Sequence, residues 1–107
     1  MNERDSPCAN VVNTSDLVRC LANAKDVAEA QLKTLYKRVG ATLNTAEVQQ
    51  LIRTQYLWTR YRDANCIAER DLYRTGTASD PAYFACLEAM TRKRTQELTI
   101  TYAVRLK

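Results

Sequence analysis

Apolar residues recur at helical spacing through most of the chain. The clearest run begins at Leu17 and continues to Val39, with apolar side chains three or four residues apart. Charged residues in this run lie mostly off the apolar face, so the segment is predicted to be an amphipathic helix with one side against a core. The apolar face consists of Leu17, Cys20, Leu21, Ala24, Ala28, Leu32, Leu35 and Val39.

Polar residues at the ends of this run predict the bounds of the first helix. Asn13 and the two hydroxyl residues after it can cap a helix, and Asp16 follows in the first turn, where the helix dipole favours a negative charge. The helix is expected to end within residues 40–43. Residues 1–13, with Pro7 beside Cys8, are then an irregular N-terminal arm.

A second helix is predicted from Thr45 to about Thr75. Asn44 and Glu47 have the spacing of a capping box, and Gly76 provides a C-terminal stop. After a short turn, Asp80 is expected to cap a third helix with Pro81 in its first position. The end of the third helix is not fixed, because residues 98–104 are rich in β-branched side chains. One side of it carries Tyr83, Cys86, Leu87, Met90, Arg94, Leu98 and Thr101.

The middle of the second helix is apolar on two sides. One side carries Gln55, Trp58, Thr59, Arg62 and Cys66, next to Leu51 and Ile52. The other carries Leu57, Tyr61, Ala64, Ala68 and Leu72. A helix apolar over so wide an arc is expected to have neighbours on more than one side. The sequence therefore predicts an all-α protein: an antiparallel bundle of three long helices over residues 14–107, with the second helix at its centre.

Composition limits the class of protein. The chain has 107 residues, 16 basic and 12 acidic side chains, a net charge of +4 and no histidine. That length corresponds to one domain, and no apolar run approaches the roughly 20 residues of a membrane span. Four cysteines in so short a chain indicate an oxidising compartment. We therefore expect a periplasmic or secreted domain whose signal peptide is missing, with Met1 added for expression.

The positions of the cysteines predict two disulfides. Cys66 and Cys86 lie ten residues on either side of Gly76, so they face each other across a helical hairpin that turns there. Cys8 and Cys20 then pair by exclusion. A metal site is the weaker interpretation, because the chain has no C-x-x-C pair and no histidine.

Residues suited to catalysis are sparse. No serine or cysteine can be activated by a histidine, and no cofactor motif occurs. Asp63, Glu69 and Asp71 lie on one helix, but a compact bundle offers no cleft in which two carboxylates could flank a glycosidic bond. We interpret the chain as a non-enzyme. Gln55 and Arg62 on the core face are then expected to form a structural polar network rather than a ligand site.

A set of residues resembles a known family pattern. The central part is Gln55-x-x-Trp58-x-x-Tyr61-Arg62-Asp63-x-x-Cys66, and the flanking parts are Asp16-Leu17 with Cys20, Leu35-Tyr36, and Cys86-Leu87 with Thr91, Arg94 and Leu98. This pattern resembles the small exported bacterial domain named after the lysozyme inhibitor LprI. The resemblance implies an all-helical, disulfide-bonded periplasmic or secreted protein, and lysozyme inhibition. The carried-over scaffold residues are Cys8, Cys20, Gln55, Trp58, Tyr61, Arg62, Asp63, Cys66 and Cys86.

Two kinds of binding function follow. In the first hypothesis, the chain inhibits a lysozyme or another cell-wall hydrolase by protein contact, with the turn at residues 76–80 as the expected protruding element. Alternatively, it is a structural or adhesion module that binds an anionic envelope polymer through a basic helical face. Export and the dispersed basic residues argue against nucleic acid. The basic residues concerned are Arg53, Arg60, Arg70, Arg74, Arg92, Lys93 and Arg94.

Overall fold

The fold consists of three long α-helices. The structure, a computed structural model, describes residues 6–74 and 76–107. Helix α1 spans Thr14–Gly40, α2 spans Thr45–Asp71 and α3 spans Ser79–Thr101, in a molecule of 47 × 24 × 17 Å. This confirms the predicted helical bundle. Within the described residues, no helix has the length and apolarity needed to cross a membrane.

The first two helices begin where the sequence predicts. Asn13 Oδ1 accepts a hydrogen bond from the Asp16 amide at 3.1 Å. The Asn44 side chain accepts from the Glu47 amide at 2.8 Å, and Glu47 accepts from the Asn44 amide at 2.9 Å. This reciprocal pair is a capping box. Helix α1 ends at Gly40, inside the predicted interval.

The second helix ends earlier than predicted. Asp71 is its last residue, and a turn follows through Arg74, whose φ of 52° is left-handed. Gly76 does not have a positive φ, so it is not the left-handed stop. The turn fits around Gly76 for another reason: a Cβ there would lie 3.2 Å from the Tyr73 carbonyl oxygen. The predicted last residue, Thr75, lies outside the described residues, as do residues 1–5 of the predicted arm.

The third helix also begins before its predicted cap. Ala78 occupies the N-cap position without a side-chain hydrogen bond, and the helix starts at Ser79. Asp80 and Pro81 therefore lie inside the first turn, so the prediction of Asp80 as the cap is wrong. Proline is tolerated there because amide groups of the first turn have no helical acceptor.

Helix α3, rather than the predicted α2, is at the centre of the bundle. It packs against both other helices, whereas α1 and α2 diverge. Leu21 clusters with Ala85, and Val39 with Leu98, so α1 and α3 run in the same direction and α2 is antiparallel to both. Small residues such as Ala82, Ala85 and Thr91 leave room for two neighbours. The buried residues of α3 are Pro81, Ala82, Ala85, Cys86, Leu87, Glu88, Thr91 and Leu98.

The outer face of α2 is exposed, contrary to the prediction of neighbours on two sides. Leu57 is 50% exposed, Tyr61 63% and Leu72 78%. Apolar side chains are common on protein surfaces, so an apolar stripe alone does not show that another element covers it. Only one side of α2 contributes buried residues: Leu51, Arg62 and Cys66.

Both predicted disulfides are present. Cys8 pairs with Cys20 at a Cα–Cα distance of 6.1 Å, and Cys66 pairs with Cys86 at 5.5 Å. Cys8 is fully buried in a cluster with Leu21. The first bridge therefore anchors the described part of the arm to α1 through Cys8, while the second joins α2 to α3.

Candidate functional site

A groove lies between α1 and α2, where the two helices diverge. Its volume is about 460 Å³, and its lining is mostly apolar with polar residues among it. We call it the α1–α2 groove. It corrects the expectation that a compact bundle has no cleft, because α3 rather than α2 is central and the outer helices are left apart. Its lining residues are Glu29, Leu32, Lys33, Tyr36, Lys37, Gly40, Val48, Leu51, Ile52, Gln55, Trp58, Thr59 and Arg62.

Arg62 joins all three helices at one end of the groove. Its side chain is only 10% exposed. Nη1 donates to Glu29 Oε2 on α1 at 2.9 Å and to Thr91 Oγ1 on α3 at 3.1 Å. Nε and Nη2 donate to Asp63 Oδ1 on α2 at 3.0 and 2.8 Å. The guanidinium therefore fixes the spacing of the helices that form the groove.

The charge of Arg62 is compensated inside this network. Burial lowers the pKa of the guanidinium, but hydrogen bonds and charges from Glu29 and Asp63 outweigh burial and raise the pKa above its ordinary value. The guanidinium carbon lies 5.4 Å from the centre of the Trp58 ring, within the range of a cation–π contact. Arg62 is therefore a permanently charged group whose partners belong to the protein itself.

The scaffold residues of the central motif separate into two groups. Gln55, Trp58 and Arg62 line the groove, and Asp63 holds Arg62 from the side. Trp58 also packs against the core cluster that contains Leu51 and Leu98. Tyr61 faces solvent on the outer face. The Gln55 side-chain oxygen is buried and has no hydrogen-bond partner among the described residues.

The α1 side of the groove carries residues that the sequence analysis did not identify as part of a binding site. Lys33 and Lys37 are exposed on its rim. Tyr36 is half-buried, and its hydroxyl accepts from Arg94 Nε at 3.4 Å. Burial raises the pKa of Tyr36, although Arg94 opposes the shift. Their spacing on a helix shows that these side chains share a face, but only the tertiary structure brings that face opposite Trp58.

The groove offers little for catalysis. Its one carboxylate, Glu29, is ion-paired with Arg62 and with Lys25. In residues 6–74 and 76–107, no three acidic, cysteine or histidine side chains are grouped so that they could hold a metal ion. The arrangement is suited to binding an apolar group beside polar and cationic contacts.

The two other surfaces that the sequence suggested for binding are the basic helical face and the turn at residues 76–80. Three of the basic residues form ion pairs within the protein: Arg92 with Glu88, Arg94 with Glu97, and Arg70 with Asp71. The positive charge of this face is therefore partly neutralised. The turn after α2 is exposed from Gly76 to Ala78, at the end of the molecule distant from most of the groove.

Comparison with known proteins decides the family. The family model described as "Lysozyme inhibitor LprI" matches residues 6–98, which is most of the chain. The chain belongs to the LprI family. It is also 28% identical over 104 residues to an uncharacterised protein of Rhizobium meliloti, an alignment that covers 85% of this chain and 75% of the relative. No solved structure matches the chain.

The residues matched by the LprI family model include the parts of the molecule that form the groove. The matched residues 6–98 include both disulfides, nearly all of α1–α3 and every groove residue. The family name suggests lysozyme inhibition.

Proposed function

We propose that this chain is an exported binding protein that inhibits a lysozyme or a related cell-wall hydrolase by direct protein contact. The observation that carries the proposal is the apolar α1–α2 groove, which is lined by Gln55, Trp58 and Arg62 of the central motif. Such a groove can bury apolar groups of another protein, while the charge of Arg62 at its end is already paired with Glu29 and Asp63. The protein itself is proposed to have no catalytic activity.

Two disulfides support export to an oxidising compartment. Both involve a fully buried cysteine, and together they fix the arm to α1 and α2 to α3. Disulfides of this kind persist outside the reducing cytosol, in the periplasm or beyond the cell. Cell-wall hydrolases act in the same compartments, so the proposed partner is within reach.

The test is inhibition of cell-wall lysis by purified lysozymes of several classes. We expect at least one class to be inhibited by the disulfide-bonded protein at micromolar concentrations. Inhibition should persist between about 0.05 and 0.5 M salt, because contacts made by apolar burial are not screened. Reduced and alkylated protein is the control and should not inhibit.

The outcome that contradicts the proposal is equally specific. No inhibition of any class at tens of micromolar, together with binding to purified anionic envelope polymer that falls steeply with salt, would replace it with the polymer-binding function. That alternative lacks support in the structure, because Arg70, Arg92 and Arg94 already form ion pairs within the protein.

A further inference from the structure

The rim of the α1–α2 groove carries an uncompensated positive charge. Lys33 and Lys37 are one helical turn apart on α1, and both are exposed. No carboxylate within residues 6–74 and 76–107 forms an ion pair with either of them, whereas Arg62 has two. Like charges at this spacing repel each other. A carboxylate brought to the rim would relieve that repulsion.

The interior of the groove is apolar and holds one unsatisfied acceptor. Leu51, Ile52 and Trp58 line its α2 side. Gln55 Oε1 lies among them, buried and without a partner in the described residues. A buried acceptor without a donor costs free energy, and turning the amide toward a donor on a ligand would recover it. The groove is therefore complementary to a group that is mainly apolar but also presents an N–H or O–H.

The length of the groove suits a short helix. Its lining runs from Glu29 to Gly40 on α1 and from Val48 to Arg62 on α2. At about 1.5 Å per residue these stretches span roughly 16 and 21 Å, or about three to four helical turns. Two diverging helices with an apolar floor are a known way of binding the apolar face of a third helix.

From these observations we propose that the groove binds an acidic amphipathic helical segment of the partner protein. Apolar side chains of the segment pack on Leu51, Ile52 and Trp58, and its carboxylates lie beside Lys33 and Lys37. The inference rests on the proposed function, since the partner is then the inhibited hydrolase. Recognition would then depend on the local charges at the rim rather than on the chain's net charge of +4.

Trp58 makes the proposal measurable, because it is the only tryptophan in the chain and it lines the groove. The probes are two tryptophan-free helical peptides of about 14 residues, long enough to fill the groove. They share one set of leucines, and their polar positions are all glutamate in one and all lysine in the other. We expect the acidic peptide to change Trp58 emission saturably and the basic peptide to have no effect.

A pair of double variants tests the role of the rim. Lys33→Gln with Lys37→Gln should weaken binding of the acidic peptide by about 2- to 30-fold, because each exposed ion pair contributes little on its own. The matched control is Arg53→Gln with Lys93→Gln, which removes the same charge from exposed positions outside the groove. It should change binding by less than about twofold.

Several results would overturn the inference. These are equal binding of the two peptides, and no change of Trp58 emission with either peptide. A third is saturable binding of the fatty acid dodecanoate when neither peptide binds, which would mean that the groove binds a lipid. A Trp58 response to protein concentration alone would mean that a second copy of the chain occupies the groove. Lysis assays on the same variants separate the two proposals. Peptide binding without any lysozyme inhibition removes the proposed function alone, and inhibition unchanged by the loss of Lys33 and Lys37 removes this inference alone.

Discussion

Arg62 is the residue on which the arrangement of the three helices depends. It bonds to Glu29 on α1, Asp63 on α2 and Thr91 on α3. Replacing a buried charged group leaves its partners without their bonds, which costs more than losing a neutral hydrogen bond. A structural role also accounts for its place in the family motif without a ligand.

Arg62→Ala is therefore expected to lower the free energy of unfolding by about 2–4 kcal/mol. Arg60→Ala is the matched control, because Arg60 lies on the same helix, is exposed and has its side-chain hydrogen bond and cation–π contact with Tyr56 alone among the described residues. Its cost should be below about 0.5 kcal/mol. The measurement is chemical denaturation of both variants. Equal midpoints would show that the Arg62 network does not hold the helices together.

Tyr36 is expected to make the protein less stable as the pH becomes alkaline. Burial raises its pKa above the ordinary value of 10.0, despite the opposing effect of Arg94. The folded state therefore holds the phenolic proton more tightly than the unfolded state does. The resulting stabilisation is complete below the unfolded pKa and is lost as the pH rises through the folded one.

Tyr36→Phe should accordingly flatten the fall in unfolding free energy between about pH 9 and 11. Tyr61→Phe, on the exposed outer face of α2, is the control and should retain the wild-type slope. Denaturation at a series of pH values checks this. Identical slopes in the wild type and Tyr36→Phe would contradict the role given to burial of this side chain.

At the scale of the helices, the beginnings were predictable from the sequence and the ends less so. The caps formed by Asn13 and Asn44 are local, since each bonds to an amide three residues ahead. The end of α2 depends on Arg74, which adopts the left-handed conformation that the sequence suggested for Gly76. The local pattern favours glycine in that conformation, so it indicated Gly76 rather than Arg74.

Gly40 offers a test of how the first helix ends. A Cβ added there would have no atom within 4 Å, and its φ is not positive. Gly40→Ala should therefore raise the unfolding free energy by about 0.4–1 kcal/mol through reduced entropy of the unfolded chain. Gly76→Ala should bring no such gain, because its Cβ would lie 3.2 Å from the Tyr73 carbonyl oxygen. Thermal denaturation compares the two, and a loss of stability in Gly40→Ala would be inconsistent with this geometry.

At the scale of the whole molecule, the sequence predicted which residues are helical but not which helix is central. The apolar arc of α2 indicated neighbours on two sides, yet Leu57 and Tyr61 are exposed. Pairing of Cys66 with Cys86 was predictable because a hairpin relates them by simple geometry. The groove was not, since it arises from the divergence of α1 and α2 around α3. The spacing of α1 and α2 depends on contacts between residues far apart in the sequence, such as the ion pair of Glu29 and Arg62.

The arrangement gives the molecule two apolar surfaces with different properties. The α1–α2 groove is concave and combines apolar residues with polar groups, while the outer face of α2 carries exposed side chains such as Leu57 and Tyr61. The proposed function assigns the partner contact to the groove, so the outer face serves as the comparison. Ile52 and Leu57 provide a matched pair, because they lie on the same helix and are similarly exposed, at 57% and 50%.

The most direct measurement is the inhibition constant of the wild type, Ile52→Glu and Leu57→Glu against the lysozyme that the wild type inhibits most strongly. A carboxylate at Ile52 would be forced into the apolar contact, so we predict that inhibition weakens roughly tenfold or more. Leu57→Glu adds the same charge outside the groove and should inhibit like the wild type. Circular dichroism and melting of both variants confirm that they fold. Undiminished inhibition by Ile52→Glu, or a loss confined to Leu57→Glu, would contradict the account.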